Sequence, residues 1–195
     1  MNTWFDPEID PFVQDCFAQA LEGYPPLHQH PIRLYRQHLK DMTMRAQPLI
    51  NKHFFIKDNR GYRVDIQDHT RINEAVQVPD LPRDVLVGWF AHELGHVMDY
   101  RTRSAWDLIR FGLGYLLFPT FRVGAERKAD LYAIEFGFAQ EITATKMFLL
   151  EESTIPNSYK TRLTRYYLSP EEVELVVREK KEGSIFRDRL FNFLK

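Results

Sequence analysis

The 195-residue chain has one cysteine, Cys16, and so cannot form an internal disulfide. It has no long hydrophobic run either: the most apolar stretch, Leu108 to Phe118, is 11 residues long and contains Arg110. A bilayer-spanning helix needs about 20 apolar residues, so no transmembrane segment is expected, although peripheral membrane contact stays open. An excess of either charge is missing too: Lys and Arg number 26 against 27 Asp and Glu. A formal net charge of −1 and a sequence pI of about 6.7 offer no general attraction to nucleic acid, which is not expected as a partner. The opening Met-Asn-Thr-Trp-Phe-Asp-Pro-Glu lacks the basic start and apolar run of a signal peptide; with the lone cysteine, this points to the cytoplasm. Repeats, linkers and low-complexity tracts are missing, so residues 1–195 read as one domain. What the chain does hold is 44% hydrophobic and 14% aromatic residues, enough to bury a single sizeable core.

Residues 92 to 96 read His-Glu-Leu-Gly-His. On a helix, positions i and i+4 lie one above the other, so His92 and His96 can direct an imidazole nitrogen each at one ion, for which zinc is the natural choice. Glu93 projects about 100° around the helix from His92, within reach of a metal-bound water but outside the ligand pair, which is the place of a general base. Apolar residues at 86, 89, 90, 94 and 97, with a start at Pro82 and Asp84, predict a buried amphipathic helix under the motif. The bland reading of the same residues is two satisfied core histidines with a surface glutamate between them.

A catalytic zinc needs a third protein ligand and an open fourth position. Residues 123 to 133, Val-Gly-Ala-Glu-Arg-Lys-Ala-Asp-Leu-Tyr-Ala, place Glu126 and Asp130 at i and i+4 on a second predicted helix. Its small residues Gly124, Ala125, Ala129 and Ala133 would let it pack closely on the first. One carboxylate can bind the metal while the other orients a ligand, and Asp130 is placed to accept the second N–H of His92. Without the upstream motif, Glu126, Arg127, Lys128 and Asp130 would read as a solvated charged face.

His-Glu-x-x-His followed by Glu-x-x-x-Asp resembles the gluzincin branch of zinc metallopeptidases, and Glu-Arg-Lys-Ala-Asp within it resembles the Glu-x-x-Ala-Asp element of the M48 peptidases. The resemblance implies His92, His96 and Glu126 as ligands of one zinc per chain, Glu93 as catalytic base and Asp130 as the acceptor that orients a ligand. It covers two short helices. The chain departs from the family in having no transmembrane helix, and in carrying Ile155-Pro156 and then Arg162 where the family often shows a His-Pro followed by Arg. Tyr159 and Arg162 stand near that point as possible stabilisers of the transition state, with Arg165 and Tyr166 close by.

Elsewhere, helices are expected over 10–22 and 31–44, on either side of Tyr24-Pro25-Pro26 and His28-Gln29-His30-Pro31, whose histidines read as polar loop side chains. Phe54-Phe55-Ile56 and Tyr62-Arg63-Val64-Asp65-Ile66 flank Asp58-Asn59-Arg60-Gly61 and read as a hairpin, with a further strand over Ile72 to Val78. Such a sheet either offers its edge to an extended peptide or only covers the core. The run Trp106 to Pro119 reads as core, or else as a lid or greasy patch beside the site. After 140 the pattern is helical to the end, with Ser169-Pro170-Glu171-Glu172 as a helix start.

The expectation is a mainly helical α+β, zincin-like single domain with a small sheet ahead of the motif helix. Its expected activity is zinc-dependent peptide-bond hydrolysis, with a peptide or protein as substrate and Glu93 moving the proton. The alternative is a non-catalytic binding or regulatory protein that keeps the zinc helix pair. Oligomeric state is left open by the sequence.

Overall fold

Alternation of apolar and polar residues builds the sheet. In the computed structural model, which describes residues 3–40, 42–70, 76–151 and 157–181 and, within the last range, not the side chains of 157–159, 162 and 163, four strands precede the motif helix. They are β1 (Thr3–Phe5), β2 (Ile32–Arg36), β3 (Met44–Pro48) and β4 (Tyr62–Ile66), in the order β1-β2-β4-β3. β1, β2 and β4 run parallel, and β3 lies antiparallel to β4 at one edge. Ile32, Leu34, Met44, Ala46, Tyr62, Val64 and Ile66 share one buried face. The other face is polar: Arg45 and Arg63 both pair with Asp65, and Arg63 also lies over the Tyr35 ring at 4.2 Å. A slip of one residue would swap these faces, which pins the register.

α1 (Pro11–Glu22) is capped by the Asp10 carboxylate, which accepts the Phe12 N–H at 2.8 Å. It packs with α2 (Arg83–Thr102) beneath the sheet. Then come α3 (Ala105–Leu117), α4 (Pro119–Glu135), α5 (Ala139–Glu151), α6 (Asn157–Tyr166) and α7 (Pro170–Lys181). Ser104 caps α3 through the Asp107 N–H at 3.1 Å. Ser169 and Glu172 form a capping box at α7: the Ser169 hydroxyl accepts the Glu172 N–H at 3.2 Å, and the Glu172 carboxylate accepts the Ser169 N–H at 2.8 Å. The fold class is therefore the mainly helical α+β that was expected.

α2 differs from expectation in being buried on every side rather than amphipathic: of its 20 residues, 15 are buried. Sheet and α1 cover one side, α4 and α5 the others. Its last turn is closed by the wholly buried Arg60, whose guanidinium donates to the carbonyls of Phe54 at 2.9 Å, Tyr100 at 3.3 Å and Arg103 at 3.0 Å. A cation at a helix C-terminus also meets the negative end of the helix dipole.

Three sequence expectations are corrected. Residues 31–44 form β2 and the start of β3, not a helix. Tyr35, Leu39 and Met42 follow helical spacing, but Ile32 and Leu34 alternate and find neighbours in β1 and β4. β4 does pair in antiparallel fashion with an earlier segment, but that segment is 44–48; Phe54 to Ile56 lies in turns, with Phe55 and Ile56 exposed. His30 is buried rather than a loop side chain, with Nδ1 at 3.0 Å from the Arg60 carbonyl. The strand expected over 72–78 lies mostly outside the described residues. Of the rest, Gln77 forms an isolated bridge to His69 and Val78 begins a 3-10 turn.

Candidate metal centre

Two glycines let neighbouring helices approach α2. A Cβ on Gly95 would stand 2.3 Å from the Ala129 carbonyl oxygen, and one on Gly88 would strike the backbone of Glu141. Gly95, between the two motif histidines, thus presses α2 onto Ala129, between Glu126 and Asp130 of α4. Two i,i+4 pairs, one of imidazoles and one of carboxylates, face each other across that contact.

His92, His96 and Glu126 are all buried, and a ligand atom from each lies within 4.8 Å of the others. They are close enough to bind a metal ion. The Nε2 atoms of His92 and His96 stand 3.1 Å and 3.5 Å from the same oxygen of Glu126. Two imidazoles and one carboxylate match the ligand set of a zinc site with an open position, so the donor chemistry fits that ion.

Around them is a layer of orienting contacts. Asp130 Oδ1 accepts the Nδ1–H of His92 at 2.9 Å, and its other oxygen accepts from Lys146 Nζ at 2.8 Å and from the Leu168 N–H at 2.9 Å. The Tyr115 hydroxyl of α3 donates to the second oxygen of Glu126. The Tyr167 ring lies 5.4 Å from the His92 ring and 4.8 Å from Lys146 Nζ. Deeper along α2, Asp99 is held by Lys128 Nζ at 2.6 Å and Arg103 Nη2 at 2.8 Å.

Glu93 occupies its own niche. Its carboxylate accepts the backbone N–H of Ala46 at 2.7 Å. The ladder between β3 and β4 continues through Gln67 N–H to Thr43 O and Leu49 N–H to Gly61 O, so the odd-numbered residues of β3 bond to β4. The N–H and C=O of Met44 and Ala46 therefore point off the edge, and Glu93 sits at that edge.

Burial penalises charge throughout the site, but the partners decide its outcome. For His92, burial is outweighed by hydrogen bonds and charge from Asp130 and Glu126, and the pKa rises to about 10. Glu126 is likewise penalised by burial, yet the two imidazoles hold its carboxyl well below the usual range. Burial wins at Glu93, whose pKa is raised in spite of His96 and His92.

Protein-family models, curated proteins and solved structures yield no match to the chain. The resemblance to M48 peptidases therefore rests on the motif residues alone. Those residues are brought together: His92, Glu93, His96, Glu126 and Asp130 form one buried cluster. Tyr159 and Arg162 lie on α6, but their side chains are outside the description. The sequence reading missed the Ala46 N–H, Tyr115, Lys146 and Tyr167. A tyrosine inside an otherwise apolar run was the one local sign pointing to Tyr115; the others have none. Among the described residues, no helix is long and apolar enough to cross a membrane.

Proposed function

We propose that the chain is a zinc-dependent peptidase in which His92, His96 and Glu126 hold one zinc ion and Glu93 is the general base. The observation that carries this reading is the place of Glu93: a buried carboxylate with a raised pKa, next to a three-donor cluster and fastened to an open strand edge. An extended peptide pairing with the free backbone groups of Met44 and with the Ala46 carbonyl would pass this carboxylate. Zinc held by His92, His96 and Glu126 would supply Lewis acidity to the attacking water and to the scissile carbonyl.

The chain's own groups do the rest. Glu93 accepts the proton of the attacking water and returns it to the leaving amine nitrogen, a role for which a raised carboxyl pKa is suited. Asp130 keeps the His92 proton on Nδ1, so that the Nε2 lone pair faces the ion, and Lys146 holds Asp130 in turn. Tyr115 occupies one oxygen of Glu126 and leaves the other toward the histidines.

The competing reading is a non-catalytic zinc-holding protein. Such a protein has no need of a buried acid at position 93, and burying an ionisable group without use is costly. Glu93→Gln tests the choice, since glutamine keeps the size and can still accept the Ala46 N–H. The expected outcome is an unchanged fold and zinc content with peptide cleavage lowered by roughly 10²- to 10⁴-fold in a library screen. Cleavage that survives the substitution, or a wild type that cleaves nothing while both forms bind one partner equally, overturns the peptidase reading.

A further inference from the structure

α3 is apolar on two faces. Leu108 and Phe111 are buried on the inner one, and Tyr115 reaches Glu126 from it. The outer one exposes Trp106 at 71%, Ile109 at 40%, Leu113 at 55%, Leu116 at 71% and Leu117 at 66%. At about 100° per residue, these five side chains fall in a sector about 100° wide. Phe55, 66% exposed in the segment between β3 and β4, extends the stripe, its ring 6.5 Å from that of Trp106. A contiguous exposed apolar surface of this kind marks a binding face.

The surrounding charge indicates what binds. With Arg103 set aside as the partner of Asp99, residues 50–58 and 101–122 carry Lys52, Lys57, Arg101, Arg110 and Arg122 against Asp58 and Asp107, a net of +3 in a chain whose total is −1. Lys52, Lys57 and Arg110 are exposed. Lysine is depleted from protein–protein interfaces, whereas an apolar helix face with an indole at one end and lysine and arginine at its fringe matches the layers of a bilayer surface. On such a surface acyl chains would meet the leucines, the headgroup region the indole, and lipid phosphates the cations.

We propose that the outer face of α3, with Phe55, docks the protein on an anionic lipid surface. Attachment is interfacial, consistent with the lack of a membrane-spanning helix among the described residues. The proposal stands whether or not the metal centre is catalytic. If it is, the ligand Glu126 lies roughly one helix diameter, about 10 Å, behind the lipid-facing side, and substrates are drawn from segments near the membrane.

The test is flotation of the full chain with vesicles of phosphatidylcholine alone and of phosphatidylcholine with about 30% phosphatidylglycerol, an anionic lipid. Binding is expected to the anionic vesicles and to weaken as salt rises from about 0.1 M to about 1 M, where the Debye length falls to about 3 Å. Leu113→Glu with Leu116→Glu is expected to lower lipid affinity by at least about tenfold, because it withdraws two apolar side chains from the contact. Both positions face solvent, so circular dichroism and thermal melting should not change. Lys52→Glu with Arg110→Glu should weaken binding to the anionic vesicles only. A wild type that stays free of both vesicle types refutes the proposal, as does equal binding by the leucine variant. A dimer in light scattering that the leucine variant dissolves, without lipid binding, assigns the face to a second copy instead.

Discussion

Gly95→Ala adds one methyl group where α2 meets α4, and the structure gives the size of the conflict. The new Cβ would stand 2.3 Å from the Ala129 carbonyl oxygen, 2.9 Å from its carbonyl carbon and 3.0 Å from its Cα, whereas ordinary contact begins at 3.4 Å. These are backbone atoms of a helix interior and cannot rotate away, so the helices must part by about 1 Å. Overpacking of this kind costs about 1–3 kcal/mol, partly offset by the ~1 kcal/mol that alanine gains over glycine in a helix. The net loss, up to about 2 kcal/mol, would lower Tm by several degrees in a domain of this size. Metal affinity should suffer more. Metal–ligand distances tolerate only about 0.2 Å, and the same 1 Å carries Glu126 away from His92 and His96. Zinc affinity, read by competition with a chelator, should fall by at least the roughly 10- to 100-fold typical of a lost orienting partner. Gly112→Ala is the control: nothing lies within 4 Å of its added Cβ, so stability should rise by about 0.5–1 kcal/mol with zinc affinity unchanged. Wild-type zinc affinity in Gly95→Ala would refute the argument that this contact sets the spacing of the four side chains.

Further outcomes follow from the cluster. Asp130→Ala should weaken zinc binding by roughly 10- to 100-fold and, by leaving the Lys146 ammonium buried without its partner, reduce stability by about 3–5 kcal/mol in urea; His96→Ala should abolish stoichiometric zinc. An unchanged affinity in Asp130→Ala would end the orienting role. His92, with its metal-free pKa raised to about 10, holds a proton at pH 7 that a metal must displace, so calorimetry in buffers of different ionisation heat should show about one proton released per zinc. The sign for the metal-free protein follows from the same shift: this stabilisation is full below the ordinary histidine pKa of about 6.5 and is lost as pH rises through about 10. Metal-free protein should therefore unfold in less urea at pH 10 than at pH 7.

What could be read from the sequence was local. Spacing of i,i+4 put His92 over His96 and Glu126 over Asp130, and Gly124, Ala125, Ala129 and Ala133 foretold a close helix pair. Capping chemistry located the start of α7 at Ser169. Strand pairing is not local, and Ile32 to Arg36 shows it: too short to declare a period of its own, this segment becomes a strand because β1 and β4 flank it. The four contributors that were missed come from positions 46, 115, 146 and 167, each on a different part of the chain. Nothing within a few residues of Lys146 says that it faces a carboxylate on α4. Trp106 to Pro119 read as core, or else as a lid or greasy patch, because composition alone cannot tell a two-faced apolar helix from a buried one; only half of α3 is covered.

Asp130 accepts hydrogen bonds from three directions, and one of its donors, the Leu168 N–H, belongs to the short link between α6 and α7. A cation held by His92, His96 and Glu126 would fix the His92 ring in place, and with it the carboxylate that anchors that link. Linkage then runs both ways. Loading the centre should slow amide exchange and proteolysis in α7, more than 40 residues downstream of Glu126 in sequence. Unseating α7, in turn, would empty the centre without altering a ligand, so that a clip or a partner acting there becomes a switch on metal occupancy.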